Sequence, residues 1–159
     1  MNASQQSLEV GSLVTQKPTC SAQSLAMRKE LSLPGDLASV AAAREQLLQL
    51  VREYCWDEAD EIDLRIAVQE ALANAALHGC GDDASKTIHC VVEADPTSVT
   101  LIVRDPGPGF DYQRLADPAR FEATTLQHGR GIALMRSLVD ELTFAHDGSE
   151  IRLCKHLAS

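Results

Sequence analysis

Glu70 and Asn74 stand four residues apart inside an alanine-rich stretch, QEALANAALHGCG, running from Gln69 to Gly81. Steps of four drift only ~40° around a helix. Ile62, Ile66, Glu70, Asn74 and His78 therefore form one slowly rotating stripe, apolar at its start and polar at its end. Such a helix can pack on a sheet at one end and line a cavity at the other. A carboxylate at Glu70 can accept or orient a proton. An amide oxygen at Asn74 can offer a hard cation one neutral ligand, with water and phosphate oxygens completing its shell. Taken alone, the pair also fits a solvated helix flank, where polar residues at i and i+4 are common.

Two further groups bear on that choice. In SVTLIVRDPGPGF, strand alternation puts Leu101, Val103 and Asp105 on one face, so Asp105 ends an apolar row. A carboxylate placed there needs a donor, and the exocyclic amine of a purine would serve. Gly107 and Gly109 let the following backbone come close to a ligand. The plainer reading is a Pro-Gly turn capped by Asp105. In QHGRGIALMRSLVDEL, Gly129, Arg130 and Gly131 precede an amphipathic helix with Ile132, Met135, Leu138, Val139 and Leu142 on its apolar side. Free amides at a helix start beside glycines suit a phosphate, and Arg130 adds positive charge; a hinge into a core helix is the alternative. The polar stretch 111–128 has the size of a closing lid. A GxxxxGK[ST] phosphate loop is absent, and Tyr112 prevents the glycines at 107 and 109 from extending to GxGxxG.

The elements that must position these groups follow from periodicity and turn residues. Residues 1–28 are rich in Ser, Gln and Thr and read as a loosely ordered arm; residues 29–157 read as one domain. The domain begins with a strand at Lys29–Leu33, stopped by Pro34-Gly35. Asp36 then caps a helix to about Tyr54, with Leu37, Val40, Leu47, Leu48 and Val51 on its apolar side. A second helix spans about Asp60 to His78, with Gly79 at its end. One hairpin turns at Asp95-Pro96-Thr97, a third helix runs over GIALMRSLVDEL, and a second hairpin turns at Asp147-Gly148. Helices that precede and interrupt hairpin strands predict an α+β, two-layer sandwich on a mixed, mainly antiparallel sheet.

Composition limits the partners. Of 159 residues, 45% are apolar but only 4% aromatic, so the core must rest on Leu, Val, Ile and Ala. The net charge of −9 argues against direct nucleic-acid or anionic-membrane binding. Five cysteines without CxxC spacing read as reduced thiols of a cytoplasmic protein. There is neither a run of about 18 apolar residues nor a signal-peptide pattern.

Together, E-x-x-x-N, D-x-G-x-G-F and G-x-G-I-x-L-M, in this order, resemble the Bergerat-fold, histidine-kinase-like ATPases. LPGDLASVAAAREQL, IAVQEALANAALHG and GRGIALMRSLVDEL are similar more closely to the bacterial anti-sigma factor serine/threonine kinases. The resemblance implies the Bergerat ATP-binding fold, with ATP and Mg²⁺ as cofactors. It matches Glu70 to the general base, Asn74 to the magnesium ligand and Asp105 to the residue binding the adenine amine. Gly107, Gly109, Gly129, Arg130 and Gly131 match the segments around the nucleotide and its phosphates. It further implies a kinase that phosphorylates Ser or Thr of a small anti-sigma-factor antagonist, binds a sigma factor and forms a homodimer. Gln127 and His128 stand where some members carry a basic residue, leaving Arg130 to supply that charge. The other expectation that fits this departure is a partner switch that binds ATP without transferring phosphate.

Overall fold

A computed structural model describes residues 27–54, 57–113 and 130–157. The described residues open with strand β1 (Met27–Gly35), two residues ahead of the expected domain start, and the strand continues through the expected stop at Pro34 with a register shift there. Helix α1 (Leu37–Arg52) follows at once. It starts where expected because the Asp36 carboxylate accepts a hydrogen bond from the Ser39 amide at 2.9 Å. Val40, Ala43, Leu47, Leu48 and Val51 form its buried stripe, whereas Leu37 is exposed.

Helix α2 (Glu58–Asn74) is capped by Asp57 and carries Glu58, Asp60 and Glu61 in its first turn, where acidic groups favour the helix dipole. Its core-facing residues are Leu64, Ala67, Val68, Ala71 and Leu72. The expectation that the stripe beginning at Ile62 packs on the sheet does not hold, because Ile62 is 49% exposed. The small residues Ala67, Ala71 and Ala75, spaced four apart, are buried instead. The helix does not simply continue to His78. After Asn74 it widens into a π-turn (Ala75–Gly79), with Cys80 N–H donating to Ala75 O and Asp82 N–H to Ala76 O.

Strands β2 (Asp83–Asp95) and β3 (Ser98–Arg104) form the first hairpin. Asp95 Oδ1 holds its turn by accepting from the amides of Thr97 and Ser98 and from the Thr97 hydroxyl. Helix α3 (Arg130–Leu138) is shorter than its sequence pattern suggests. Leu142, expected on its apolar side, lies instead in β4 (Glu141–Ala145), opposite Leu153 of β5 (Glu150–His156). The second hairpin turns through His146–Gly148, with Asp147 and Gly148 both at positive φ.

The sheet order is β1-β2-β3-β5-β4. Every pairing among the described residues is antiparallel, so the expected mixture of directions is absent from them. Alternation gives one face Ile88, Cys90, Val92, Ala94, Val99, Leu101, Val103 and Leu153, all buried against the helices. The result is the expected α+β, two-layer architecture. The cysteines depart from expectation. Cys80 and Cys90 are free and buried, but Cys154 is disulfide-bonded to a partner outside the described residues.

Candidate functional site

Three segments meet at the edge where α2 ends. The π-turn carries Gly79 against the strand-end carboxylate: a Cβ on Gly79 would lie 2.1 Å from Asp105 Cγ and 2.5 Å from Asp105 Cβ. The Asp105 backbone is fixed from the other side by its N–H, which donates to Ser149 O at 3.0 Å. Its Oδ1 accepts from the Gly107 amide at 2.8 Å. The turn-capping role is therefore real, and it leaves Oδ2 without a hydrogen bond among the described residues. Burial pushes the Asp105 carboxyl above its ordinary value, partly offset by the Gly107 amide. Burial, then the Asp105 charge, push the Cys80 thiol up as well.

Gly107 and Gly109 pack tightly. A Cβ on Gly107 would sit 2.7 Å from Gly79 O. Gly109 adopts φ +72, and its missing side chain admits Asp147 O, while Phe110 N–H donates to Asp147 O at 2.9 Å. The loop after β3 is thereby stitched to the β4–β5 turn. Phe144 forms its apolar wall, edge-on to Phe110 with centroids 5.3 Å apart and stacked on Tyr112 at 5.2 Å.

The first turn of α3 closes the arrangement. A Cβ on Gly131 would lie 2.7 Å from Glu70 Oε2 and 3.7 Å from Asn74 Oδ1. Three groups far apart in sequence thus share one patch. Arg130 is exposed beside it; Gly129, Gln127 and His128 lie outside the described residues, as does most of the stretch expected to form a lid. Between helices and sheet runs a cavity of about 500 Å³ including its open mouth. Asn74, Gly79, Asp105 and Gly109 line it, together with Ile132 and Phe144.

Sequence reasoning singled out Asn74, Asp105 and Gly109 but missed Phe144, Ile151, Ser149 and Ile132 as cavity residues. The strand residues were accessible in principle. Val103, Ile151 and Phe144 occupy one cross-strand row, which follows once the hairpin register is known.

The donor set fits a magnesium-bound polyphosphate: the Asn74 side-chain amide, with Nδ2 at 3.5 Å and Oδ1 at 3.7 Å from a Cβ on Gly131, and the Glu70 carboxylate stand beside a glycine at a helix start, leaving water and phosphate to fill a hard cation's other positions. Glu141, Cys154 and His156 also bring one ligand atom each within 4.8 Å of one another. The sulfur of Cys154 is committed to its disulfide, so it offers no thiolate there.

Residues 33–155 match the family model of the histidine kinase-like ATPase domain. The chain is 30% identical over 106 residues to the anti-sigma F factor of Anoxybacillus flavithermus (strain DSM 21510 / WK1), covering 64% of this chain and 71% of the relative. It is 31% identical over 111 residues to the serine-protein kinase RsbW of Bacillus subtilis (strain 168), covering 65% and 68%. Among solved structures, the RsbU and RsbW domains of Rv1364c from Mycobacterium tuberculosis share the fold at TM-score 0.55 and 21% identity. The match spans 82% of this chain but only 31% of that one. The chain belongs to the histidine kinase-like ATPase family, among its anti-sigma factors and serine-protein kinases.

Proposed function

We propose that the chain is an anti-sigma-factor protein kinase. It binds Mg-ATP and phosphorylates a Ser or Thr of a small antagonist protein, and this modification decides whether a sigma factor is held or released. The convergence of Glu70 and Asn74 on Gly131 carries this reading, because it sets a carboxylate and a side-chain amide at a helix start suited to phosphate. Asp105 Oδ2 would accept from the adenine amine, with Gly107 and Gly109 allowing the base to approach and Phe144 packing near it. Gly129, Arg130 and Gly131 would flank the phosphates. Bound through Asn74, Mg²⁺ would supply positive charge that steadies the phosphate oxygens.

Glu70 would take the proton of the acceptor hydroxyl as its oxygen bonds to the γ-phosphorus. The bond to the β-phosphate oxygen breaks and ADP leaves. Positioning and electrostatics do most of the work in such a transfer. The homodimer and the cytoplasmic location belong to the same proposal and rest on resemblance.

The test is transfer from γ-labelled ATP into proteins of the source cell's extract. Wild type is expected to label one small protein on Ser or Thr. Glu70→Gln keeps the shape but not the base and should transfer about 100-fold more slowly or worse, with ATP affinity little changed. Equal transfer by the variant would remove Glu70 from its role. The unusual Gln127-His128 pair favours one second reading, a partner switch that binds ATP without transfer. ATP binding with no labelled protein, in an extract shown to contain the unphosphorylated partner, would select it.

A further inference from the structure

The outward side of α2 is not the polar face that a surface helix normally shows. Steps of four, four and three residues put Ile62, Ile66, Glu70 and Ala73 within about 80° of one another around the axis. Ile62 is exposed, and Leu77, which follows in the π-turn, is 46% exposed. Ile66, Glu70 and Ala73 are half-buried. Glu70 is thus the one polar side chain of an otherwise apolar stripe.

Helix α3 widens the stripe. It runs antiparallel to α2, since Gly131 meets Glu70 while Lys155 Nζ holds both Leu138 O and Asp63 Oδ2. Leu134, midway between Gly131 and Leu138, is therefore level with Ile66, and it is 39% exposed. Of the four large apolar side chains exposed among the described residues, Ile62, Leu77 and Leu134 gather here; the fourth, Leu37, begins α1. From Ile62 to Leu77 the surface runs roughly 22 Å. Across two helix widths of about 9 Å each, that is on the order of 400 Å², the apolar centre of an interface to which each partner gives about 800 Å². Arg130, exposed one turn before Leu134, has no partner among the described residues and sets a positive charge at the rim.

The occupant follows from Glu70. A protein that gives its hydroxyl to that carboxylate has to lie on the surface in which the carboxylate is set. The net charge of −9 disfavours an anionic membrane, and a second copy seated here would shut Glu70 away from any acceptor. Resting on the phosphotransfer reading, we propose that the ridge of Ile62, Ile66 and Leu134 is the docking surface for the acceptor protein. That partner meets it with an apolar patch beside its Ser or Thr and turns a carboxylate toward Arg130. Neither Ile62 nor Leu134 lines the cavity. They hold the partner so that its hydroxyl reaches Glu70, and so act on its binding and not on the transfer step.

Graded amounts of the source cell's extract, with γ-labelled ATP, test this by comparing wild type with the double variant Ile62→Gln, Leu134→Gln. Glutamine suits an exposed helix position, so the melting temperature should stay at the wild-type value. The variant is expected to need about 10-fold more extract for half-maximal labelling of the small protein, with the saturating rate and Mg-ATP affinity unchanged. Leu37→Gln should label as wild type does. Labelling by the double variant equal to wild type at every dilution, or an equal loss in Leu37→Gln, would overturn the docking surface and leave the kinase standing. A wild type that sediments as a dimer beside a monomeric double variant would give the ridge to a second copy instead. If wild type binds Mg-ATP but labels nothing, the kinase reading fails and the docking surface with it.

Discussion

Gly131 occupies a position where any side chain meets the group it faces. A Cβ there would stand 2.7 Å from Glu70 Oε2, closer than carbon normally approaches oxygen. The obstacle is the end of a flexible side chain, so the fold can yield where chemistry cannot. Alanine also gains up to about 1 kcal/mol of helix propensity over glycine. Gly131→Ala is thus expected to leave the melting temperature near wild type while slowing phosphotransfer about 10- to 100-fold through displacement of the carboxylate. A variant equally fast would show that the Glu70 position does not matter to the reaction. Asp105 carries a different signature. Its folded value is raised above the ordinary 3.8, chiefly by burial, so the ionised form is disfavoured in the folded chain. The penalty is absent below the ordinary value and grows as pH rises from there through the raised one. Asp105→Asn keeps an oxygen for the Gly107 amide and removes the charge. Urea titrations should find it gaining on wild type across that window and then levelling off, while nucleotide binding weakens. A constant difference at all pH values would remove burial of the charge as the cause. These residues stood out in sequence because a carboxylate and an amide are poor choices inside an alanine-rich helix, and an aspartate is a poor end to an apolar strand. Gly79 did not stand out in the same way. As a helix terminator it looks ordinary, and only the fold brings Asp105 against it.

At the scale of elements, the π-turn after Asn74 decides where that contact falls. One continuous α-helix would carry residues 75–79 along the α2 axis; the wider turn delivers Gly79 to the carboxylate of Asp105. Asp105 cannot retreat, because its amide is tied to Ser149 O and its side chain to the Gly107 amide. Gly79→Ala would press a methyl to 2.1 Å from Asp105 Cγ, so backbone must move. A loss of about 1–3 kcal/mol is expected in urea unfolding, the usual cost of forcing volume into a packed place. Stability at the wild-type level would mean the turn is looser than its contacts imply. Both hairpins and the start of α1 were legible beforehand, since Asp95, Asp36 and Asp147-Gly148 have local jobs that local sequence reveals. The π-turn was not, because no residue type distinguishes it from an α-turn. The end of α3 was also misread: Leu138, Val139 and Leu142 fit a helical stripe, yet Leu142 serves the two-residue period of β4. What ends the helix is tertiary, with the Asp140 amide donating to Cys154 O and its carboxylate accepting from the His156 amide.

Across the whole molecule, the two ends of the sheet have different tasks. One end gathers glycines, a buried-edge carboxylate and a cavity. Four residues further along β5 from Ile151, which lines that cavity, Lys155 ties the layers together. Its Nζ donates to Asp63 Oδ2 of α2 at 2.9 Å and to Leu138 O at the end of α3 at 3.0 Å, with Asp60 at 3.6 Å. Its side chain is only 14% exposed, so neither carboxylate is simply a surface partner. Burial works against the ammonium, but the Asp63 hydrogen bond and the surrounding carboxylates hold its pKa above the usual lysine value of 10.5. A group raised in the folded state contributes its stability in full below the unfolded value and loses it as pH climbs through the folded one. Lys155→Met keeps the apolar stem and drops the charge. It strands Asp63 and the Leu138 carbonyl, which should cost about 1–3 kcal/mol, less than a fully buried pair because water still reaches the site. The deficit should be flat from neutral pH to about 10 and shrink only above it, as wild type gives up its own ammonium. Because Lys155 lies about 13 Å along the strand from Ile151, nucleotide affinity should not change. A variant as stable as wild type, or one whose deficit vanished already at neutral pH, would leave the layers held by apolar packing alone.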